Sequence, residues 1–148
     1  MRAVSSLLLS TIRLLWAAPL TLWAVPLAPL LLHGRCQIRQ GAFECYGPGF
    51  EWFLDGPWFR AITGGAGFAA VTIGHVIIGR DANALARCAA HEREHVRQGE
   101  RWGILFPAAY LLAGLYATAR HRSLAAGYHA NPFEVAARAA ELAFPGKR

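Results

Sequence analysis

The chain has 148 residues, of which 55% are hydrophobic, and its formal net charge of +6 comes almost wholly from arginine. This length allows one small domain, and the hydrophobic fraction is high for a soluble one, which is consistent with attachment to a membrane. The basic charge favours anionic lipid over nucleic acid as a partner, because the sequence contains no nucleic-acid motif and no base-stacking arrangement of aromatic and basic residues.

The first predicted element is an uncharged run of nineteen residues from Leu14 to Leu32, with Arg2 and Arg13 before it. This is long enough for one membrane-spanning helix, and lipid-embedded helices accommodate prolines of the kind found in the run. We therefore predict that residues 1–33 form an uncleaved membrane anchor, with a secretory signal segment as the alternative. Arginines lie on both sides of the run, so the positive-inside rule gives no orientation.

The middle of the chain predicts strands. Residues 34–66 are rich in glycine, proline and aromatic residues, which indicates short strands and turns. Cys36 and Cys45 could pair in an oxidising compartment or remain free thiols, and the sequence leaves both open. The β-branched residues between Val71 and Ile78 favour a buried strand over a membrane helix. His75 in that segment is interpreted as a core or edge histidine and not as a ligand.

Three helices are predicted after this strand. Asp81 is a candidate N-cap for the first, and Gly99 is expected to end it. The apolar stretch from Trp102 to Ala119 predicts a buried core helix, with a position against the membrane surface left open. Asn131 and Pro132 supply an N-cap and a first-turn proline for the last helix.

The first of these helices carries a motif, His91-Glu92-Arg93-Glu94-His95, with the His-Glu-x-x-His pattern of zinc hydrolases. Imidazoles four residues apart project in nearly the same direction, so both can bind one metal ion. Glu92 lies about 100° around the helix from His91, in the middle of the apolar stripe. A merely solvated glutamate would not lie there, whereas a carboxylate that activates a metal-bound water would.

A catalytic zinc site needs a third protein ligand and an open position for water. The downstream candidates are His121, His129 and Glu134. Glu134 lies early on the last helix, but together with Asn131 it also fits a capping box, and helix geometry alone does not choose between the two roles. The helical wheel places Gln98 with the charged residues, away from the apolar stripe.

Together, His91-Glu92-x-x-His95 and the later Asn131-Pro132-x-Glu134 resemble the small gluzincin-type zincin-like metallopeptidase domains of bacteria, over about residues 67–140. The resemblance implies that Zn²⁺ is bound by the two histidines and by Glu134 as third ligand.

The resemblance also implies a strand at the edge of the cleft with which an extended peptide can pair, and Val71 to Ile78 is the matching segment. Larger gluzincins often have an acidic residue, which orients a ligating histidine, at the position of Arg138. The carboxylate support for a histidine is therefore missing at that position of this chain.

The sequence thus predicts an α+β protein with an N-terminal transmembrane helix followed by a small zincin-like domain. Residues 1–33 are the anchor, 34–66 a strand and loop region, and 67–148 the metal-binding domain, with a short sheet, the motif helix, an apolar core helix and a C-terminal helix that carries the third ligand. The helix from Trp102 to Ala119 is not expected to cross the bilayer, because Glu134 would then lie on the opposite side from the two histidines.

The expected function is a membrane-anchored, zinc-dependent metallopeptidase of the bacterial inner membrane, in which Glu92 activates the zinc-bound water. Its partners would be membrane lipid and a peptide or protein substrate, with no nucleic acid. Tyr128 is a candidate donor to the developing oxyanion, although a packing role is the alternative. The competing hypothesis is a non-catalytic small membrane protein with a structural or vestigial metal site. No specificity pocket can be named from the sequence.

Overall fold

The computed structural model describes residues 11–12 and 15–143, and within them the fold is α+β, as predicted, with seven α-helices and one four-stranded sheet. The helices are α1 (15–22), α2 (Pro48–Leu54), α3 (Pro57–Thr63), α4 (Ala82–Trp102), α5 (Phe106–His121), α6 (Leu124–Ala130) and α7 (Pro132–Ala143). The strands are β1 (Arg35–Arg39), β2 (Ala42–Tyr46), β3 (Ala70–Ile73) and β4 (Val76–Gly79). Short 3-10 helices occupy Val25–Leu31 and Gly103–Leu105.

The sheet joins strands from the two predicted segments 34–66 and 67–148 in the order β1-β2-β4-β3. The outer pairs are antiparallel, and the central pair β2–β4 is parallel. Cys36 and Cys45 stand opposite each other in β1 and β2 and form a disulfide, one of the two alternatives that the sequence left open. The strand order leaves β3 at one edge of the sheet.

The segment from Val71 to Ile78 is a hairpin and not one strand, because the chain turns at Gly74 and His75. Gly74 has a φ of +60°, and Thr21 lies directly against it, so a side chain there would be strained and would collide. His75 is buried, as predicted, and its backbone N–H donates to the Thr21 hydroxyl at 3.1 Å. The hairpin turn is therefore fixed by the N-terminal part of the chain.

The aromatic-rich part of residues 34–66 was predicted as strands and turns, and this is wrong for residues 48–63. Pro48 and Pro57 each begin a helix of seven residues. Proline is favoured in the first turn, where its missing N–H would have no partner in any case. Phe50 and Leu54 of α2 are buried against the sheet.

The hydrophobic core lies on both faces of the sheet. One face packs against α4, through Ala42, Ala70, Ile77, Leu85 and Val96. The other face packs against α2 and the 3-10 helix Val25–Leu31, through Cys45, Phe50, Leu54 and Ile78 with Leu27 and Leu30. Helix α7 lies along α4 and buries Ala137 completely. The motif helix is consequently held between the sheet and α7.

Helix α4 begins as predicted, with the Asp81 side chain accepting from the backbone N–H of Ala84. It does not end at Gly99 but continues to Trp102. Gly99 is buried, and Leu20 of α1 lies over it, so here glycine serves close helix packing and not termination. Gly103, with a φ of +55°, ends the helix.

The predicted single helix over residues 14–32 is not formed. Among the described residues, α1 ends at Leu22, and a 3-10 helix that contains Pro29 follows after a turn. Ala17 and Leu20 are buried in the protein. The helical stretch long and apolar enough to cross a membrane is Ala82–His121, which lies mid-chain and not at the N-terminus.

The prediction of a buried core helix is wrong for α5. Ala117 is its one buried residue, and Leu111, Leu112, Leu115 and Tyr116 are exposed. Helix α6 packs along one side of α5, and the described residues leave the opposite side uncovered. After α6 the chain has returned to the first half of α5, where the Asn131 amide donates to the Tyr110 carbonyl at 3.2 Å.

Candidate metal centre

Helices α4 and α7 bring the three predicted ligands together. His91 and His95 lie one turn apart on α4, with their Nε2 atoms 3.2 Å apart. Glu134, at the start of α7, has Oε1 3.1 Å from His95 Nε2 and Oε2 3.4 Å from His91 Nε2. Within the described part of the chain these residues form a group that could hold a metal ion.

The spacing of these donor atoms fits zinc. Ligand atoms about 2.0–2.1 Å from a tetrahedral zinc ion lie about 3.3 Å from one another. The three contacts above lie between 3.1 and 3.4 Å, with the two histidines against different oxygens of Glu134, and one ligand atom from each residue lies within 4.8 Å of the others. In addition, Glu134 Oε2 is buried without a well-formed hydrogen bond, its nearest donor groups being His91 Nε2 at 3.4 Å and Arg138 at 3.7 Å, so it is available to bind a metal ion. Two imidazoles and one carboxylate are also a ligand set that zinc accepts in catalytic sites.

Glu134 does not act as the second half of a capping box. The Asn131 side chain caps the helix by accepting from the Phe133 N–H at 3.1 Å, but the Asn131 N–H donates to the Tyr128 carbonyl. The Glu134 carboxylate instead accepts from the Tyr110 hydroxyl at 2.7 Å. It is buried among the two histidines and this tyrosine, so the capping role left open by the sequence does not apply.

Charges around the group favour an ionised carboxylate. Burial alone would raise the pKa of Glu134, but its close contacts with His91, His95 and Tyr110 lower it well below its usual range. For His95, burial lowers the pKa, but the hydrogen bond to Glu134 and the negative charges of Glu92 and Glu134 together have the larger effect and raise it. Glu134 therefore stays ionised, which suits a divalent cation, whereas His95, with its raised pKa, must lose its proton before it can bind one.

Gln98 orients His95. Its Oε1 lies 2.9 Å from His95 Nδ1, and its amide donates to the Phe133 carbonyl at 3.0 Å. An Nδ1–H that donates to Gln98 leaves the Nε2 lone pair directed at the metal group. The prediction that Gln98 lies on the polar side of the helix is wrong, because α7 covers that position and Gln98 is buried.

The acidic residue missing at position 138 has a counterpart one turn later. Glu141 Oε2 lies 3.7 Å from His91 Nδ1, close enough for charge support although too long for a hydrogen bond. Arg138 itself lies 3.7 Å from Glu134 Oε2 and donates to the His129 carbonyl. Each histidine therefore has its own outer partner, Gln98 for one and Glu141 for the other.

Glu92 is buried beside the group and is held by the sheet. The Thr72 hydroxyl of β3 lies 2.7 Å from Glu92 Oε2, to which it donates, and 3.1 Å from the Glu92 backbone carbonyl. Burial raises the pKa of Glu92, while the charges of His95 and His91 and the Thr72 hydrogen bond partly offset this. A carboxylate with a raised pKa and a fixed orientation is suited to accept and return a proton.

The group opens into a cleft of about 760 Å³. His91, Glu92, His95 and Glu134 line it, as does Tyr128, whose ring packs edge-on against Phe68 at 5.4 Å. Burial raises the pKa of the Tyr128 phenol, and the Glu134 charge adds to this, so the hydroxyl keeps its proton and can donate. Of the other ligand candidates, His129 lines the cleft outside the group, and His121 is exposed at the end of α5.

Comparisons with protein-family models, curated proteins and solved structures find no match to this chain. The case for its function therefore rests on the geometry of the site.

Four residues around the site were not predicted as parts of it: Thr72, Gln98, Tyr110 and Glu141. Gln98 and Glu141 had a local signal, since each lies seven residues from a ligand on its own helix and so on the same face. Thr72 and Tyr110 reach the site from β3 and α5. Their contacts depend on tertiary packing and have no signature in the sequence.

Proposed function

We propose that this protein is a membrane-attached, zinc-dependent peptidase with a zincin-like site. The observation that carries the proposal is the convergence of His91, His95 and Glu134 at zinc-like separations, with Glu92 lining the same cleft. A structural site alone would not need a separate buried carboxylate next to an open cleft of this size.

A zinc ion in this position would lower the pKa of a water molecule and polarise a substrate carbonyl. Glu92 accepts the proton of the attacking water and delivers it to the leaving amine, and Thr72 holds its carboxylate in place. Tyr128 donates a hydrogen bond to the oxygen that becomes negative as the carbonyl is attacked. Gln98 fixes the tautomer of His95 throughout.

Strand β3 positions the substrate in this proposal. It lies at the edge of the sheet and lines the cleft from Ala70 to Ile73. An extended peptide can pair with the free side of such a strand through main-chain hydrogen bonds. Because Thr72 in the same strand contacts Glu92, pairing at β3 would bring the scissile bond close to the carboxylate that takes the proton.

Membrane attachment is part of the proposal. Among the described residues the helical stretch Ala82–His121 is long and apolar enough for it, and exposed apolar side chains lie also at Leu15, Leu22, Trp23 and Leu32. The Cys36–Cys45 disulfide favours an oxidising compartment, so the metal-binding domain is expected on the outer side of a bacterial inner membrane. A membrane-impermeant thiol reagent added to intact cells should label a cysteine introduced at exposed Arg97; labelling only after lysis would contradict this orientation.

The decisive experiment compares Glu92→Gln with Glu94→Gln in the full-length protein in detergent. Glu94 is two residues away on the same helix, and among the described residues its ion-pair partner is Arg97 at the surface, so its variant is a matched control. We expect Glu92→Gln to bind one equivalent of zinc but to lose hydrolysis of a peptide library, and Glu94→Gln to retain both.

Three outcomes would contradict the proposal. Full activity of Glu92→Gln would remove this residue from the mechanism. The wild type could bind one equivalent of zinc and lose it in Glu134→Ala but not in Val135→Ala. If no form of the protein then hydrolysed any peptide, the site would be a structural metal site instead. Less than about half an equivalent of zinc in the wild type would refute the metal site itself.

A further inference from the structure

The walls of the cleft differ sharply from its floor. The charged side chains that line it among the described residues are Glu92, Glu134, Arg138 and Glu141, and all four are on α4 or α7. The walls come from α1 and the turn after it, α3, β3 and the loop before it, α5 and α6. Their lining side chains are mainly apolar, including Trp23, Phe59, Ile62, Phe68, Leu111 and Leu115. A ligand would therefore meet polar groups at the metal group and apolar surface elsewhere.

The rim of the cleft is apolar as well. Trp23, Leu111, Leu115 and Leu124 line the cleft and are also between 55% and 64% exposed. The exposed surface of α5 continues from them through Leu112 and Tyr116. Several exposed apolar side chains beside an open cleft are unfavourable in water and indicate a surface that meets lipid or an apolar ligand.

We propose that the substrate is an apolar peptide segment that enters the cleft over this rim from the membrane. The proposal rests on the peptidase function above and names its substrate class. The cleft, at about 760 Å³, is within the size range of sites that enclose most of a ligand's surface. Apolar side chains of the segment pack on the walls from α3 and α5, while its main chain reaches the polar floor.

A peptide fits this cleft better than a lipid acyl chain. Four consecutive residues of the edge strand β3, from Ala70 to Ile73, line one wall, and among the described residues β3 pairs only with β4. Its free side offers backbone donors and acceptors that an extended peptide satisfies and an acyl chain cannot. Apolar walls beside an open strand edge thus favour an extended chain with apolar side chains.

The test uses two quenched fluorescent peptides of equal length, one with a central run of leucines and one in which serines replace them. The full-length protein is assayed with each in detergent. We expect kcat/KM to be at least tenfold higher for the leucine peptide. We also expect Leu111→Ser and Leu115→Ser each to lower this preference about tenfold, because each removes an apolar wall contact. Leu112→Ser is the matched control, since Leu112 is equally exposed on α5 but does not line the cleft.

The outcomes separate this inference from the peptidase function. Zinc-dependent hydrolysis with equal kcat/KM for both peptides would overturn the apolar substrate and leave the peptidase function intact. The same conclusion would follow if Leu112→Ser and Leu115→Ser changed the preference for the leucine peptide equally. Hydrolysis of a phospholipid ester in vesicles, with neither peptide cleaved, would overturn the choice of a peptide. If no substrate is cleaved, the inference is tested by binding of the leucine peptide to the zinc-loaded Glu92→Gln protein. Capture of the peptide by a photo-crosslinker at position 115 supports the apolar site, and no capture refutes it.

Discussion

Replacement of Gln98 by leucine tests the arrangement of the metal group most directly. Gln98 is buried and makes two hydrogen bonds, one to His95 Nδ1 at 2.9 Å and one to the Phe133 carbonyl at 3.0 Å. Leucine has a similar volume but can make neither bond. His95 then loses the partner that fixes its tautomer and ring orientation, while Glu134, the next residue after Phe133, loses part of its anchoring.

Loss of an outer partner of a metal-ligating histidine weakens metal affinity about 10- to 100-fold. We expect the zinc Kd of Gln98→Leu to rise by that factor, which corresponds to about 1.4–2.8 kcal/mol. Competition with a chromogenic chelator measures it. Gln98→Glu should keep most of the affinity, because a carboxylate can also accept from Nδ1–H, and exposed Arg97→Leu should keep all of it. A folded Gln98→Leu protein whose Kd is within threefold of the wild type would refute the orienting role.

Three further predictions concern catalysis, pH and stability. Thr72→Val should lower kcat about tenfold with little change in KM, because it removes the hydroxyl that holds Glu92, and Thr72→Ser should restore most of the rate; steady-state kinetics of both variants check this. Zinc affinity should fall as the pH is lowered, by about tenfold per pH unit below the raised pKa of His95, because this histidine must lose its proton to bind; a Kd independent of pH in chelator competition would exclude His95 as a ligand. Cys36→Ser should lower the free energy of unfolding, measured by chemical denaturation, by about 2–3 kcal/mol, because it removes the disulfide that closes a loop between residues nine apart. A reductant should lower the free energy of unfolding of the wild type by the same amount.

The features that the sequence predicted correctly depend on local spacing. Asp81 caps α4 and Asn131 caps α7, as expected from residue type at a helix start. The convergence of Glu134 with the two histidines joins elements about forty residues apart, and only the family resemblance indicated it before the structure. Because α7 packs along α4 through the small residue Ala137, the start of α7 comes within ligand distance of the motif.

What the sequence predicted wrongly depends on which elements cover one another. Gln98 is polar but is buried under α7, whereas the leucines of α5 are apolar but are exposed. A helical wheel describes one helix and contains no information about its neighbours. The short helices α2 and α3 were missed because proline and glycine mark helix starts as well as turns, and seven-residue helices have too little periodicity to distinguish the two.

Because α5 forms a hairpin with α6, the apolar face of α5 can be exposed while Glu134 still reaches the two histidines of the metal group. From Tyr110, beside the metal group, to His121 at its end, α5 extends about 16 Å, at 1.5 Å per residue. Helix α6 then returns, and Asn131 contacts Tyr110 again. The tip of the hairpin carries Arg120 and Arg122, which favour the headgroup region, so α5 would lie along the bilayer surface with its apolar side toward lipid and would not insert tip-first. The apolar face of α5 can therefore contact lipid without separating Glu134 from His91 and His95.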